Sequence, residues 1–139
     1  MDQSRKSILI VDDDAEVLMA LERLLETQGY RTTTAWSGRD AMHALQHQRF
    51  DLLLLDQDLP DVNFDDLLQR AKGGRTPARC VVMQPTGTGR RTVSTLASPT
   101  GVHGSVCKWE HDQVIAIVRD CLGPAPGSVH PRRALPALA

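Results

Sequence analysis

The sequence predicts an α/β fold, in which helices cover both faces of a parallel sheet. Two short apolar runs, at residues 7–11 and 52–55, show no alternation of polar and apolar residues. Runs of this kind are typical of strands that are buried on both faces. Segments with helical periodicity separate the strands, and this order indicates βα units that right-handed crossovers join into one sheet.

Two βα units are predicted in the first third of the chain. After the strand at residues 7–11, apolar residues at helical spacing run from Ala15 until Gly29, a residue type that commonly ends helices. The threonine-rich stretch at residues 30–36 predicts a second strand. Ser37 is a preferred N-cap residue, and we expect the second helix to begin there.

Three further units are predicted in the rest of the chain. The strand that ends at Asp56 is followed by a helix that a pair of glycines closes. Residues 80–83 predict a fourth strand, and residues 102–107 predict a weaker fifth strand. Between these two strands we expect a short helix from about residue 90 to residue 97.

The length of 139 residues fits one domain. The last helix is predicted to end at Gly123, so we interpret residues 1–123 as the folded domain. Residues 124–139 contain four prolines, and we expect them to form a tail without a core of its own.

The composition argues against several classes of protein. A formal net charge of −1 gives no electrostatic attraction to nucleic acid. No stretch has the length of a membrane-spanning helix, and the N-terminus lacks a secretory signal. Cys80, Cys107 and Cys121 are scattered, as is typical of reduced thiols. We therefore expect a soluble, cytoplasmic protein that binds neither nucleic acid nor membranes.

Acidic residues follow the first and third strands at the end where ligands bind in such sheets. Asp12, Asp13 and Asp14 follow the first strand, and Asp56 ends the third. One aspartate suffices to cap the next helix. Because adjacent strands lie about 4.8 Å apart, Asp12 or Asp13 can approach Asp56. Carboxylates this close repel one another, and a site of oxygen ligands suits Mg²⁺ or Mn²⁺.

Lys108 follows the fifth strand and can reach the same edge of the sheet, where its ammonium would attract phosphate. Taken singly, each of these residues has an ordinary structural explanation, as a helix cap or a solvated lysine. Their predicted placement at the same end of neighbouring strands favours a site for phosphate chemistry instead.

Three features of the sequence carry a resemblance to a known family: residues 8–14, residues 51–61 and Lys108. Over about residues 7–122, the chain resembles the receiver domain of two-component response regulators. The resemblance implies a flavodoxin-like (βα)5 fold, a doubly wound parallel sheet in strand order 2-1-3-4-5. It also implies that Asp56 accepts a phosphoryl group from a histidine kinase or a phosphotransfer protein. The output would then be signal transduction through a downstream protein partner. A homodimer is a possible form of the protein, and no enzymatic activity on other molecules is expected.

The same resemblance implies a role for each site residue. Asp12, Asp13, Asp56 and the backbone carbonyl of Asp58 would hold Mg²⁺, and Lys108 would bind a phosphoryl oxygen. In this family, phosphorylation is read out through a hydroxyl residue after the fourth strand and an aromatic residue in the fifth.

The second half of the chain departs from the family pattern at these readout positions. Gln84 stands at the usual serine or threonine position, and Pro85, which has no N–H, follows it. A shifted alignment, in which Thr86 supplies the hydroxyl, is the second choice. Ser105 stands at the position of the aromatic switch residue. We therefore expect a receiver that keeps its acceptor but switches atypically.

Two backbone positions also depart from the pattern. Trp109 stands where the family usually has a proline after a cis peptide bond. We expect a trans bond here, because a cis bond before tryptophan costs about 2.5–4 kcal/mol. Phe64 stands where a turn glycine is usual, so a positive φ there would be strained.

Two other functions stay open. A pseudo-receiver, which would be a phosphorylation-independent interaction module, is favoured by the residues at the readout positions and opposed by the intact acids and lysine. Asp56 and Asp58 also resemble the nucleophile and acid/base pair of haloacid-dehalogenase-like phosphatases. In that family the pair lies on the first strand, whereas a whole βαβα unit precedes Asp56 here.

Overall fold

The computed structural model describes residues 5–62, 64–72, 78–85, 92–93 and 102–123 of the chain. Strands and helices alternate along most of these residues. They are β1 (Ser7–Val11), α1 (Ala15–Thr27), β2 (Arg31–Ala35), α2 (Gly38–His47), β3 (Leu52–Asp56), α3 (Phe64–Lys72), β4 (Arg79–Gln84), β5 (Thr92–Val93), β6 (Gly104–Cys107) and α4 (His111–Leu122).

The described strands form one sheet in the order β2-β1-β3-β4-β6-β5. Every neighbouring pair from β2 to β6 is parallel, and β5 pairs antiparallel with β6. The parallel strands, taken in their order along the chain, follow the predicted sequence 2-1-3-4-5, which confirms the predicted fold class. Because β1 lies directly beside β3, the carboxyl ends of these two strands meet at one edge of the sheet.

The segment between β4 and β6 differs from the prediction. A helix is predicted from about residue 90 to residue 97, but Thr92 and Val93 form a strand that pairs with Ser105 and Gly104. The helix prediction is therefore wrong at these two residues, and the rest of that stretch lies outside the described residues. Threonine and valine are β-branched and favour strands over helices. The edge of β6 offers them backbone hydrogen-bond partners from outside their own segment.

Two apolar clusters pack against opposite faces of the sheet. Ile8 and Ile10 of β1 contact a cluster that includes α1 and α4, whereas Leu9 and Val11 contact a cluster that includes α2 and α3. Successive side chains of a strand point to opposite faces, so β1 contributes to both clusters. All four leucines at residues 52–55 are 0% exposed, which explains why the sequence of β3 does not alternate.

The predicted helix caps are present. The side chain of Asp14 accepts a hydrogen bond from the N–H of Glu16 at 2.9 Å, and Ser37 accepts one from the N–H of Asp40 at 3.0 Å. These bonds satisfy backbone donors that have no partner within the helix. Gly123 follows α4 with a φ of 78°, a conformation that glycine adopts without strain.

The backbone between the elements agrees with two further predictions. The described residues contain no cis peptide bond, so the bond between Lys108 and Trp109 is trans. Helix α3 begins at Phe64, and every positive φ in the described part of the chain belongs to a glycine. The glycine pair at residues 73–74 and the tail at residues 124–139 lie outside the described residues. Within the described ranges, no helix is both long and apolar enough to cross a membrane.

Candidate functional site

The carboxyl ends of β1 and β3 bring three carboxylates together. Val11 pairs with Leu55 in the register of these strands, so Asp12 and Asp56 leave the sheet side by side. One carboxylate oxygen from each of Asp12, Asp13 and Asp56 lies within 4.8 Å of the others. The structure thus places these acids as the strand order predicts.

The three carboxylates differ in exposure. Asp12 is 0% exposed and Asp56 is 4% exposed, whereas Asp13 is an exposed residue. The site therefore has a buried floor formed by Asp12 and Asp56. Asp13 marks the open side, from which a cation or a phosphoryl group can approach Asp56.

Lys108 lies inside this acidic site. Its Nζ donates to Oδ2 of Asp12 at 2.7 Å and lies 3.6 Å from Oδ1 of Asp56. The backbone N–H of Lys108 donates to the carbonyl of Gln84 at 2.9 Å, which fixes the start of this side chain beside the end of β4. A buried ammonium is unfavourable unless it is paired, and the two carboxylates supply that pairing. Lys108 is a component of the site and not a solvated surface lysine.

Asp12 is held from several directions. Its Oδ1 accepts the N–H of Asp14 at 2.9 Å, while its Oδ2 accepts the bond from Lys108. Its own backbone N–H donates to the carbonyl of Ala35 at 3.1 Å, at the end of β2. These bonds fix the orientation of the Asp12 carboxylate. They also explain how a charged side chain is accommodated without exposure to water.

The protonation of Asp56 and Lys108 reflects these contacts. Burial raises the pKa of Asp56, and the charge of Asp12 raises it further, against smaller opposing effects of the Asp58 N–H and Lys108. Burial by itself would lower the pKa of Lys108. The hydrogen bond and charge of Asp12, together with the charge of Asp56, outweigh burial, so the pKa of Lys108 is raised. Lys108 is therefore a cation in this site.

The donor set fits a small divalent cation. Mg²⁺ prefers oxygen ligands and usually keeps several waters when it binds to proteins. Asp13 presents an oxygen at the open side, where water has access, close to an oxygen of the buried Asp56. Asp58 is exposed, and its N–H lies 3.4 Å from Oδ1 of Asp56, so its loop passes beside the same carboxylate. A cation here would also reduce the repulsion that raises the pKa of Asp56.

The structure describes three of the predicted readout residues, Gln84, Pro85 and Ser105. Gln84 ends β4, and its carbonyl contacts the N–H of Lys108. Pro85 follows, and its carbonyl lies 3.8 Å from the Sγ of Cys107. Ser105 lies within β6, between Val82 of β4 on one side and β5 on the other. Thr86, the alternative hydroxyl residue, lies outside the described residues.

Sequence reasoning did not single out Asp61. Its two carboxylate oxygens accept the backbone N–H groups of Gly38 and Arg39, each at 2.9 Å. These two hydrogen bonds lower the pKa of Asp61. The partners are more than 20 residues apart along the chain. No local pattern in the sequence reports such a contact.

The comparison with protein families identifies the class of protein. The family described as the response regulator receiver domain matches residues 8–119 of this chain. The match includes both acidic strand ends and Lys108. The chain therefore belongs to the response regulator receiver domain family.

Two similar proteins are named as a response regulator and a transcriptional regulatory protein. The chain is 40% identical over 76 residues to the DNA-binding response regulator MtrA of Mycobacterium tuberculosis. This alignment covers 53% of the chain and 33% of MtrA. The chain is 39% identical over 66 residues to the transcriptional regulatory protein AfsQ1 of Streptomyces coelicolor, which covers 48% of this chain and 29% of AfsQ1. The match thus spans about a third of the length of these relatives.

Solved structures share the fold. The response regulator TrrA from Thermotoga maritima, in complex with Mg(2+)-BeF, has a TM-score of 0.66 and 24% identity, covering 84% of this chain and 99% of TrrA. The structure of the P1 domain of CheA3 in complex with CheY6 from R. sphaeroides matches with a TM-score of 0.69 and 22% identity, covering 86% of this chain and 98% of that chain. These likenesses establish the flavodoxin-like architecture.

Proposed function

We propose that Asp56 accepts a phosphoryl group from a histidine kinase or a phosphotransfer protein. The observation that carries the proposal is the position of the Lys108 ammonium, 3.6 Å from an oxygen of Asp56, in a site that Asp12 and Asp13 complete. A helix cap or a surface ion pair would not need a buried cation beside a buried acceptor. Membership of the receiver family supports the same function.

In the proposed reaction, a carboxylate oxygen of Asp56 attacks the phosphorus of a phosphohistidine. The P–N bond of the donor breaks, a P–O bond to Asp56 forms, and the donor imidazole leaves with the electron pair. The Lys108 ammonium then supplies a charge-assisted hydrogen bond to a phosphoryl oxygen, which is worth about 1.5–3 kcal/mol. Asp12 keeps Lys108 charged and in place for this contact.

We also propose that Asp12, Asp13, Asp56 and the backbone carbonyl of Asp58 hold Mg²⁺ or Mn²⁺. The bound cation would neutralise negative charge on the phosphoryl group during transfer. The clustered carboxylate oxygens and the open side at Asp13 support this assignment. The exposed Asp58 contributes its backbone at the rim of the site.

The proposed output is a contact with a downstream protein, with switching that differs from the family pattern. Ser105 cannot act as a rotating aromatic ring, and it pairs with Thr92 of the added strand β5. Pro85 lacks the N–H that the family uses at this position. Gln84 lacks the hydroxyl that is usual at its position. Losing this hydroxyl and the N–H at Pro85 as phosphoryl donors would cancel most of a switching free energy of about 5 kcal/mol.

The same features favour a second candidate, a pseudo-receiver that binds its partner without phosphorylation. In this structure the Lys108 ammonium is already bonded to Asp12 and lies near Asp56, so it has carboxylate partners without a phosphoryl group. The two candidates make opposite predictions about phosphate chemistry at Asp56.

We also propose that residues 1–123 form the receiver domain, that residues 124–139 form a tail, and that the protein acts in the cytoplasm.

Intact-mass measurement with a small phosphodonor and Mg²⁺ tests the first candidate. A single phosphoryl adduct that requires Mg²⁺ and is lost in Asp56→Asn is the expected result. Absence of both the adduct and Mg²⁺ binding would leave the pseudo-receiver. Sedimentation with and without a phosphoryl mimic tests whether a homodimer forms.

A further inference from the structure

The loop between β3 and α3 follows Asp56 directly and carries Asp58. At its start, the N–H of Gln57 donates to the carbonyl of Met83 at 3.0 Å. Further along, Leu59 and Val62 are partly buried and pack against the apolar cluster that includes α2 and α3. Asp58 lies between these anchors and is exposed. The position of its backbone therefore depends on how firmly the loop is held on both sides.

Asp61 attaches the far side of this loop to the start of α2. Its Oδ1 accepts the N–H of Gly38 and its Oδ2 accepts the N–H of Arg39, both at 2.9 Å. These N–H groups lie in the first turn of the helix and have no partner within it. Both oxygens of an exposed carboxylate are thus engaged by backbone that is distant in sequence. Asp61 is exposed, yet its carboxylate is held in one orientation by these two hydrogen bonds.

Val62 adds a steric contact at the same place. A Cβ on Gly38 would lie 2.0 Å from Cγ2 of Val62 and 2.9 Å from its Cβ, so only glycine allows this approach. Valine has few side-chain rotamers and cannot easily swing away. The loop is therefore fixed to α2 by two hydrogen bonds and one close packing contact.

The junction between β2 and α2 also holds the other wall of the acidic site. The carbonyl of Ala35, three residues before Gly38, accepts the backbone N–H of Asp12 at 3.1 Å. Residues 35–39 thus contact the backbone of Asp12 on one side and the Asp58 loop, through Asp61, on the other. The spacing between these two walls is set at one junction.

We propose that Asp61 is a positioning residue that sets the place of the Asp58 backbone relative to Asp12 and Asp56, and thereby the affinity of the site for Mg²⁺. This inference rests on the proposed function, in which the Asp58 carbonyl is a metal ligand. Asp61 does not contact the metal. It acts through the loop that it attaches to α2.

Three variants separate positioning from loss of charge and from loss of helix capping. Asp61→Asn keeps the shape of the side chain but can accept only one of the two N–H groups and carries no charge. Gly38→Ala keeps the charge and displaces Val62, and with it the loop. Ser37→Ala removes the cap of the same helix, the bond to the N–H of Asp40, and leaves the side chains of Asp61 and Val62 as they are.

The measurements are the Kd for Mg²⁺ by titration calorimetry and the amide exchange of residues 57–59 in the absence of metal. We expect Asp61→Asn and Gly38→Ala to weaken Mg²⁺ binding by about tenfold, the loss typical of removing a group that orients metal ligands. Both variants are also expected to speed exchange of the Asp58 N–H. Ser37→Ala is expected to lower the urea midpoint while leaving the Kd and the exchange at Asp58 unchanged.

The outcomes distinguish the two proposals. If the native protein binds Mg²⁺ and both variants bind it with the native Kd, the positioning role is wrong and the proposed function stands. A loss confined to Asp61→Asn would also overturn the positioning role, because charge alone would explain it. A native protein that binds no Mg²⁺ would overturn the proposed metal site, and the positioning role with it.

Discussion

Replacing Lys108 by methionine tests how the acidic site is balanced. The ammonium lies 2.7 Å from Oδ2 of Asp12 and 3.6 Å from Oδ1 of Asp56, and its side chain is 9% exposed. At an effective dielectric constant of about 20, these distances give gross attractions of about 6 and about 5 kcal/mol. Desolvation of the three charged groups offsets much of this attraction, at several kcal/mol for each ion.

The expected net result is a loss of about 3–5 kcal/mol in the free energy of unfolding, because Asp12 and Asp56 would remain buried without their cation. Urea denaturation at neutral pH in the absence of divalent metal measures this loss. Addition of Mg²⁺ is expected to restore part of it, since a bound cation replaces the missing charge. The matched control is Lys6→Met, at an exposed lysine, with an expected change of about 0.5 kcal/mol or less.

A Lys108→Met variant within about 1 kcal/mol of the native protein would refute this account of the site, since 1 kcal/mol is the upper range for exposed ion pairs. Such a result would mean that Asp12 and Asp56 reach solvent or share a proton when the lysine is absent. The double variant of Lys108→Met with Asp12→Asn tests whether buried uncompensated charge causes the loss of stability. It is expected to be more stable than Lys108→Met alone, because it removes one of the two uncompensated charges.

Three further predictions follow from individual contacts. Because the pKa of Asp56 is raised, its stabilising contribution is complete below the unfolded pKa of about 3.9 and is lost as the pH rises through the folded pKa. Asp56→Asn without metal should therefore be more stable than the native protein at neutral pH and should lose this advantage at acidic pH. A difference in urea midpoint between the two proteins that is the same at neutral and at acidic pH would contradict this prediction. Tyr30→Phe removes the bond from the Tyr30 hydroxyl to the carbonyl of Gly123, at 2.8 Å, and should cost about 0.5–1.5 kcal/mol by thermal unfolding. An unchanged Tm would show that the bond contributes nothing. Leu54→Ala, at a fully buried residue of β3, should cost about 2–5 kcal/mol in urea, and a loss below 1 kcal/mol would indicate that the core closes around the cavity.

Strand β5 extends the sheet beyond the five predicted parallel strands. Its pairing with Ser105 and Gly104 gives β6 a neighbour on the side away from β4. This arrangement and the missing aromatic at Ser105 fall in the same region, which is where the sequence departs from the family pattern.

The sequence by itself determined the parallel sheet and the acidic cluster. Both rest on local patterns of residue types that can be read directly from the sequence. An apolar run such as residues 52–55 requires burial on both faces, and the alternation of strands with helices leaves few topologies open. Once β1 and β3 are neighbours, Asp12 and Asp56 must meet at their carboxyl ends. The helix caps at Asp14 and Ser37 were predictable for the same reason, because a cap bonds to residues two or three positions away.

The tertiary structure alone decided three other features. Lys108 could reach the acidic edge from the end of β6, but only the packing shows that Asp12 and not Asp56 is its nearer partner. The strand at Thr92 and Val93 forms because the edge of β6 is available for pairing, which overrides the weak helical preference of its surroundings. Asp61 contacts α2 because the fold places the loop after β3 beside the start of α2. Such contacts depend on the placement of whole elements in the fold, and the periodicity of the sequence does not predict them.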